Sequence, residues 1–262
     1  MRIAVEHVSI SFRQGVHVLE DASLQVESGE LVALLGPSGC GKSTLLNAIA
    51  GLLDPLDCQV TGSITLDGDA AGKRSSRLGY VFQRDALLPW RTMLENVQLG
   101  LEIRGVERAQ RVKTARELMR LVGLDGFEGF YPHQTSGGMR QRAQLIRTLA
   151  YEPAAILMDE PFGALDAQNR MLLQAELLRL WERTGTTILF VTHDLGEAIT
   201  LAQRVVVLSK RPGRIKQVFD IPLRSPRDPF ELRATAEFAA LETRIWAGLR
   251  DEFRAMPAGR DA

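Results

Sequence analysis

Cysteine is nearly absent: Cys40 and Cys58 are the only two in 262 residues. Two cysteines build neither a disulfide framework nor a four-cysteine metal site, so a reducing compartment is the expectation. Net charge is lacking too, with Lys+Arg and Asp+Glu both at 32. No overall field recruits nucleic acid or anionic lipid, and nucleic acid is not an expected partner. No apolar run approaches the ~20 residues that span a bilayer, and the charged start Met1-Arg2-Ile3-Ala4-Val5-Glu6-His7 has no signal-peptide core. The chain reads as soluble and cytosolic, with any membrane role exercised through a partner. What is plentiful is apolar residues, 45% of the chain, enough to bury a sizeable core.

The most specific feature present is Gly36-Pro37-Ser38-Gly39-Cys40-Gly41-Lys42-Ser43-Thr44. This G-x-x-x-x-G-K-[ST] loop follows the apolar run Leu31 to Leu35 and leads into a helical pattern carrying Leu45, Leu46, Ile49 and Ala50, with Gly51 as its stop. Its glycines let the backbone curl until several N–H groups face one phosphate chain. Lys42 adds charge near the β/γ-phosphates, and the Ser43 hydroxyl can reach Mg²⁺. A nucleoside triphosphate is the expected ligand.

Around this loop the chain divides by periodicity. Ile3 to Phe12, Ala22 to Val26, and Gly62 to Leu66 before the Asp67-Gly68 turn alternate like strands and predict a small antiparallel sheet. From Thr92 to about Val122 the period is helical. Thr92 and Glu95 form a capping box, Leu94, Val97 and Leu101 share a face, and a second helix carries Val112, Ala115, Leu118, Met119 and Val122. Gly105 and Gly123 mark their ends. Strand and helix signals then alternate: Ala155 to Met158, a helix with Leu173, Leu177 and Leu180, Thr187 to Val191, a helix opened by a second capping box at Asp194 and Glu197, and Val205 to Leu208. A parallel α/β core follows from that order. Beyond Pro212-Gly213 a proline- and arginine-rich stretch leads to one terminal helix with Phe238, Leu241, Ile245 and Leu249.

Asp159 and Glu160 end the Ala155 run, where an open α/β sheet presents ligand-binding residues. One carboxylate can serve Mg²⁺ and the other a water, with Glu160 suited to orient the attacking water; a solvated strand end is at least as good a reading of the pair alone, but the phosphate loop upstream favours the functional one. Ser136-Gly137-Gly138 opens another helix, and exposed N–H groups with the positive end of a helix dipole make a second anion site. An ordinary Ser-capped helix reads the same, and the residues alone favour it.

The set Gly36 to Thr44, Gln83, Thr135 to Gln141, Ile156 to Glu160, Ala164-Leu165-Asp166 and His193, in that order, resembles the ATP-binding subunits of ABC transporters over about residues 1–220. The resemblance implies a P-loop NTPase (RecA-like) α/β core, about 1–85 and 146–220, with a small antiparallel β subdomain, an inserted α-helical subdomain at about 86–145, and a C-terminal tail, 221–262, with one helix. It implies ATP and Mg²⁺, and a head-to-tail dimer in which each ATP lies between residues 36–44 of one copy and Ser136, Gly137 and Gly138 of the other. Glu160, Gln83 and His193 are then catalytic, Ser43, Gln83 and Asp159 hold the metal, Asp166 stands at the dimer seam, and Phe12 stacks on adenine. Cys40 lies at a variable loop position, within the nucleotide-binding stretch but with no side-chain role. One departure is Thr135, where most members have Leu, which bears on packing and the rate of dimer closure.

Leu87-Leu88-Pro89-Trp90-Arg91-Thr92-Met93-Leu94-Glu95-Asn96-Val97 and Gly100 to Val106 are similar to the nitrate, sulfonate and taurine importer subgroup. That implies permease subunits docked around Gln83, Leu87, Leu88 and Trp90, a periplasmic or lipid-anchored solute-binding protein, and a peripheral place on the cytoplasmic face of the inner membrane. The rival is a soluble ABC-type ATPase of DNA repair or translation. Only about 100 residues without sustained heptads separate Gly36 from Ser136, against the long coiled coil of repair members. A kinase or GTPase leaves Ser136-Gly137-Gly138 and His193 unexplained.

Overall fold

The computed structural model describes residues 1–13, 15–71, 77–84, 86–163 and 165–254. In chain order these form β1 (Ile3–Phe12), β2 (Val16–Val26), β3 (Leu31–Leu35), α1 (Lys42–Ile49), β4 (Cys58–Leu66), β5 (Asp69–Ala70) and β6 (Leu78–Val81). Next come α2 (Met93–Ile103), α3 (Arg108–Leu121), α4 (Gly137–Leu149), β7 (Ala155–Asp159), α5 (Ala167–Thr184), β8 (Thr187–Thr192) and α6 (Leu195–Leu201). β9 (Arg204–Leu208), β10 (Ile215–Asp220), α7 (Pro229–Leu232) and α8 (Ala236–Arg254) close the described chain.

Two sheets result. One is antiparallel in the order β2-β1-β4-β5, and the other runs β10-β9-β3-β8-β7-β6. In the second, β9, β3, β8, β7 and β6 are parallel, while β10 pairs antiparallel at the edge. The parallel strands β3, β7, β8 and β9 are short and apolar because both faces are covered, while the edge strand β10 is mostly exposed. Leu31, Ala33 and Leu35 turn to the core shared with α2 to α6 and α8, whereas Val32 and Leu34 turn to the core shared with α1 and the antiparallel sheet. Burying each such side chain contributes about 1.5–3 kcal/mol, so this alternation fixes the register.

The register also sets the site. Leu35 is level with Thr192, Asp159 with Val191, and Val81 with Met158. The residues just past four adjacent strand ends, Gly36, His193, Glu160 and Phe82, therefore emerge along one carboxyl edge, where such sheets bind ligands.

The α/β core, the antiparallel sheet and the helical stretch between Thr92 and Val122 match expectation, and the Thr92–Glu95 capping box is complete. Three differences stand out. β2 starts at Val16 and β4 at Cys58, several residues earlier than the alternation suggests, because register shifts along β1 break the period. β6, β10 and α7 were not legible: β6 has four residues, β10 buries only Phe219, and α7 is a single turn. At α6 only half of the expected box forms. Asp194 caps the Glu197 N–H, but the Glu197 carboxylate accepts from the Thr192 hydroxyl at 2.7 Å instead of closing on the cap. The expected division near residue 145 falls inside α4, whose residues pack on both α2 and β6.

Candidate functional site

The loop between β3 and α1 is shaped by backbone that only glycine tolerates well. Gly39 and Gly41 have φ of 74° and 102°. A Cβ at Gly36 would stand 2.9 Å from the Leu208 carbonyl oxygen. Lys42 opens α1 and is buried; its Nζ donates to the carbonyls of Gly36 and Pro37, both at 2.8 Å. Cys40 is buried beneath the same loop, and burial pushes its thiol up against the opposing pull of Lys42.

Strand β7 delivers two carboxylates to different partners. Asp159 accepts a hydrogen bond from Ser43 Oγ at 2.8 Å. Burial pushes its carboxyl up, the Ser43 bond lowers it, the neighbouring Glu160 raises it and Lys42 lowers it. Glu160 has φ of 47°, which aims its side chain off the strand axis, while its N–H donates to Val191 O at 3.0 Å. Gln83 Nε2 donates to Glu160 Oε2 at 3.1 Å, and His193 Nδ1 lies 3.3 Å from Glu160 Oε1. Three residues separated by 77 and 33 positions thus meet at one carboxylate, as the ends of β6, β7 and β8 dictate.

Ser136 caps α4, its Oγ accepting from Met139 N at 3.3 Å, and Ser136 and Gly137 are exposed. A Cβ on Gly138 would touch Leu165 Cδ2 at 3.3 Å, so this helix start lies beside the turn that carries Asp166. Asp166 caps α5 and is held below the usual carboxylate range by Asn169, whose N–H and Nδ2 both donate to it. Ala164 falls outside the described residues. Thr135 is buried, and its hydroxyl donates to Pro132 O at 2.8 Å, a carbonyl that also accepts from the Thr135 N–H at 3.2 Å and from Arg140 Nη1 at 3.4 Å. Phe12 ends β1 half-exposed, in the antiparallel sheet.

Of the apolar segment after Gln83, Leu87 is not surface. It is 7% exposed and part of the core, so the expected docking role is corrected for this residue. Trp90, by contrast, is 71% exposed, with Phe82 also exposed and Leu88 half-buried. Fully buried Asn96 holds the segment: its Nδ2 donates to the carbonyls of Leu88, Arg91 and Thr92, and its Oδ1 accepts from Leu88 N at 2.7 Å.

Sequence reasoning missed the wall of the phosphate loop. A Cβ on Gly41 would meet Val18 of β2 at 3.0 Å, and one on Gly213 would run into Cys40 O. Gly213 was visible only as half of a Pro-Gly turn, since close backbone approach leaves no periodic signal.

Comparison with known proteins adds lineage to this geometry. A family profile described as ABC transporter matches residues 19–163. An uncharacterised ABC transporter ATP-binding protein of Methanocaldococcus jannaschii is 45% identical, over 96% of this chain and 92% of its own length. A taurine import ATP-binding protein of Rhizobium johnstonii is 45% identical over 94% of this chain and 95% of its own. An aliphatic sulfonates import ATP-binding protein of Bacillus thuringiensis is 42% identical over 94% of both. Among solved structures, a dimeric post-hydrolysis ATP-binding cassette bound to ADP and phosphate superposes with a TM-score of 0.74 at 30% identity, covering 85% of this chain and all of that one.

Proposed function

Because the chain belongs to the ABC transporter family of ATP-binding proteins, we propose that it is the ATP-hydrolysing subunit of an importer, working as a head-to-tail pair beneath permease subunits. The observation that carries this reading is the Glu160 carboxylate gripped between Gln83 and His193 at the sheet edge next to the phosphate loop.

Hydrolysis of a γ-phosphate asks little covalent help of a protein; positioning and charge supply most of the rate. Glu160 orients the attacking water and takes up part of its proton. Gln83 and His193 fix the carboxylate, and His193 also serves the γ-phosphate side. Residues 36–44 wrap the phosphates with backbone N–H groups, and Lys42 exchanges its two carbonyl acceptors for phosphate oxygens. Phe12 stacks on the adenine. Ser43, Asp159 and the Gln83 amide oxygen form a hard-oxygen donor set, and the Ser43–Asp159 contact of 2.8 Å brings hydroxyl and carboxylate together as Mg²⁺ requires. When bound, Mg²⁺ would be held by these oxygens and would supply positive charge to offset that of the phosphates. Ser136, Gly137 and Gly138 of a second copy close over the nucleotide, with Asp166 at the seam.

Support for the importer reading comes from the named relatives and from the exposed Trp90 in the segment that follows Gln83 in the chain. Among the described residues no helix is long and apolar enough to cross a membrane, so the bilayer step belongs to partners. The solute is a small anionic compound such as taurine, a sulfonate or nitrate, delivered by a periplasmic or lipid-anchored binding protein, with this subunit peripheral on the cytoplasmic face. Glu160→Gln is the test: ATP binding should persist while phosphate release falls at least about 100-fold. Turnover near wild type would contradict the assignment.

A further inference from the structure

Arg170 stands one turn into α5, and its guanidinium joins two loops that the sequence keeps apart. Nη2 donates to the carbonyl of Leu165 at 3.1 Å, immediately before Asp166. Nη1 donates to Asp194 Oδ2 at 3.3 Å, immediately after His193. Nε lies 3.5 Å from Glu197 Oε1 but makes no aligned hydrogen bond.

Behind Arg170 the network tightens around His193. The other Glu197 oxygen accepts from the Thr192 hydroxyl at 2.7 Å, and that hydroxyl accepts from the Asp194 N–H at 3.0 Å. Asp194 Oδ1 in turn accepts from Glu197 N at 3.0 Å. Both backbone neighbours of His193 are therefore pinned by a set of bonds whose outer end is Arg170. An exposed ion pair contributes little. Here the fork is half-buried, Glu197 is buried, and the planar guanidinium fixes direction as well as charge. With two arms bonded and the third unaligned, a displacement of the Leu165–Asp166 turn by a fraction of an ångström redistributes its grip on Asp194 and Glu197.

We propose that Arg170 is a positioning residue that transmits engagement of the Asp166 turn by a second copy of this chain to His193, so that hydrolysis follows pairing. Among the described residues its hydrogen bonds and ion pairs go to Leu165, Asp194 and Glu197, not to Glu160 or the phosphate loop, so it acts through Asp194, Glu197 and the histidine they hold. This rests on the roles given above to His193 and Asp166.

The test is turnover against ATP concentration for the full chain, with Arg170→Lys, which keeps the charge but cannot span Leu165 and Asp194, and Arg170→Gln as a second variant. Wild type should show a Hill coefficient approaching about 2, the limit for two sites. Both variants should lose about ten-fold in kcat with KM changed less than about two-fold, and should fall to a Hill coefficient near 1. A variant that melts lower yet keeps wild-type kcat per folded molecule and wild-type cooperativity would overturn the proposal, leaving Arg170 a structural staple. Single-turnover rates with labelled ATP then compare His193→Ala with His193→Ala/Arg170→Lys. Equal rates are expected, since Arg170 acts through the histidine; a further ten-fold loss in the double variant would overturn the inference while leaving His193 in place. Full turnover by His193→Ala alone would instead fault the role given to His193, and this inference would fall with it.

Discussion

Lys42 is buried at the first turn of α1 with two carbonyls under its ammonium group, so it serves the loop as well as any phosphate. Lys42→Ala should abolish ATP turnover, and it should also lower stability by about 1–3 kcal/mol, because the Gly36 and Pro37 carbonyls lose a charged donor. Paired ATPase and urea-denaturation measurements check this; unaltered turnover would be incompatible with the loop's role. The carboxylates show what a sequence does and does not carry at this scale. Asp159 and Glu160 are legible as a pair at a strand end, but the division of labour is not. It depends on Ser43 reaching Asp159, and on the positive φ of Glu160 turning the next side chain toward Gln83 and His193. Both are consequences of strand order, which no local pattern encodes.

At the scale of elements, strong periodicity was readable and weak periodicity was not. α2 and α3 carry complete apolar faces and glycine stops, and they appear where expected. β10 lies at an edge with one buried side chain, and α7 has four residues, so neither builds a pattern. The segment between these two unread elements helps to hold α6 in place. Arg227, between β10 and α7, donates through Nη1 to the carbonyls of Ile199, Thr200 and Ala202 at the end of α6, and through Nη2 to Ile221 and Leu223. Burial lowers its pKa to about 10, which leaves it charged at neutral pH. Arg227→Ala should therefore cost about 2–4 kcal/mol by orphaning helix-end carbonyls, and Arg227→Lys, lacking the fork, should restore only part of it. Thermal and denaturant melts of the two variants measure the difference, and an unchanged Arg227→Ala would show that α6 is held by its apolar face alone.

Across the whole molecule, two surfaces face outward for different reasons. One is the Ser136–Gly138 helix start beside the Asp166 turn, and the other is the Trp90 segment braced by Asn96. A tryptophan 71% exposed on a braced loop is the kind of anchor that interfaces use. Trp90→Glu should spare ATP binding by the subunit but abolish co-purification with its permease or the solute-stimulated part of its turnover. If the variant pairs and responds as wild type does, the docking surface lies elsewhere. Residues in the phosphate loop were nameable from sequence because chemistry constrains them locally, whereas Ser136, Gly137 and Gly138 alone read as an ordinary capped helix and became a site only through the resemblance. The need for a second copy came from resemblance alone, since one chain cannot show what covers an exposed helix start. The measurement that bears most directly on the account is size-exclusion chromatography of Glu160→Gln with and without ATP. A dimer is expected with ATP, a monomer with ADP, and a monomer in both when Ser136→Arg blocks the second anion site. A Glu160→Gln chain that stays monomeric with ATP bound, or a dimer that survives Ser136→Arg, would contradict the head-to-tail ATP sandwich.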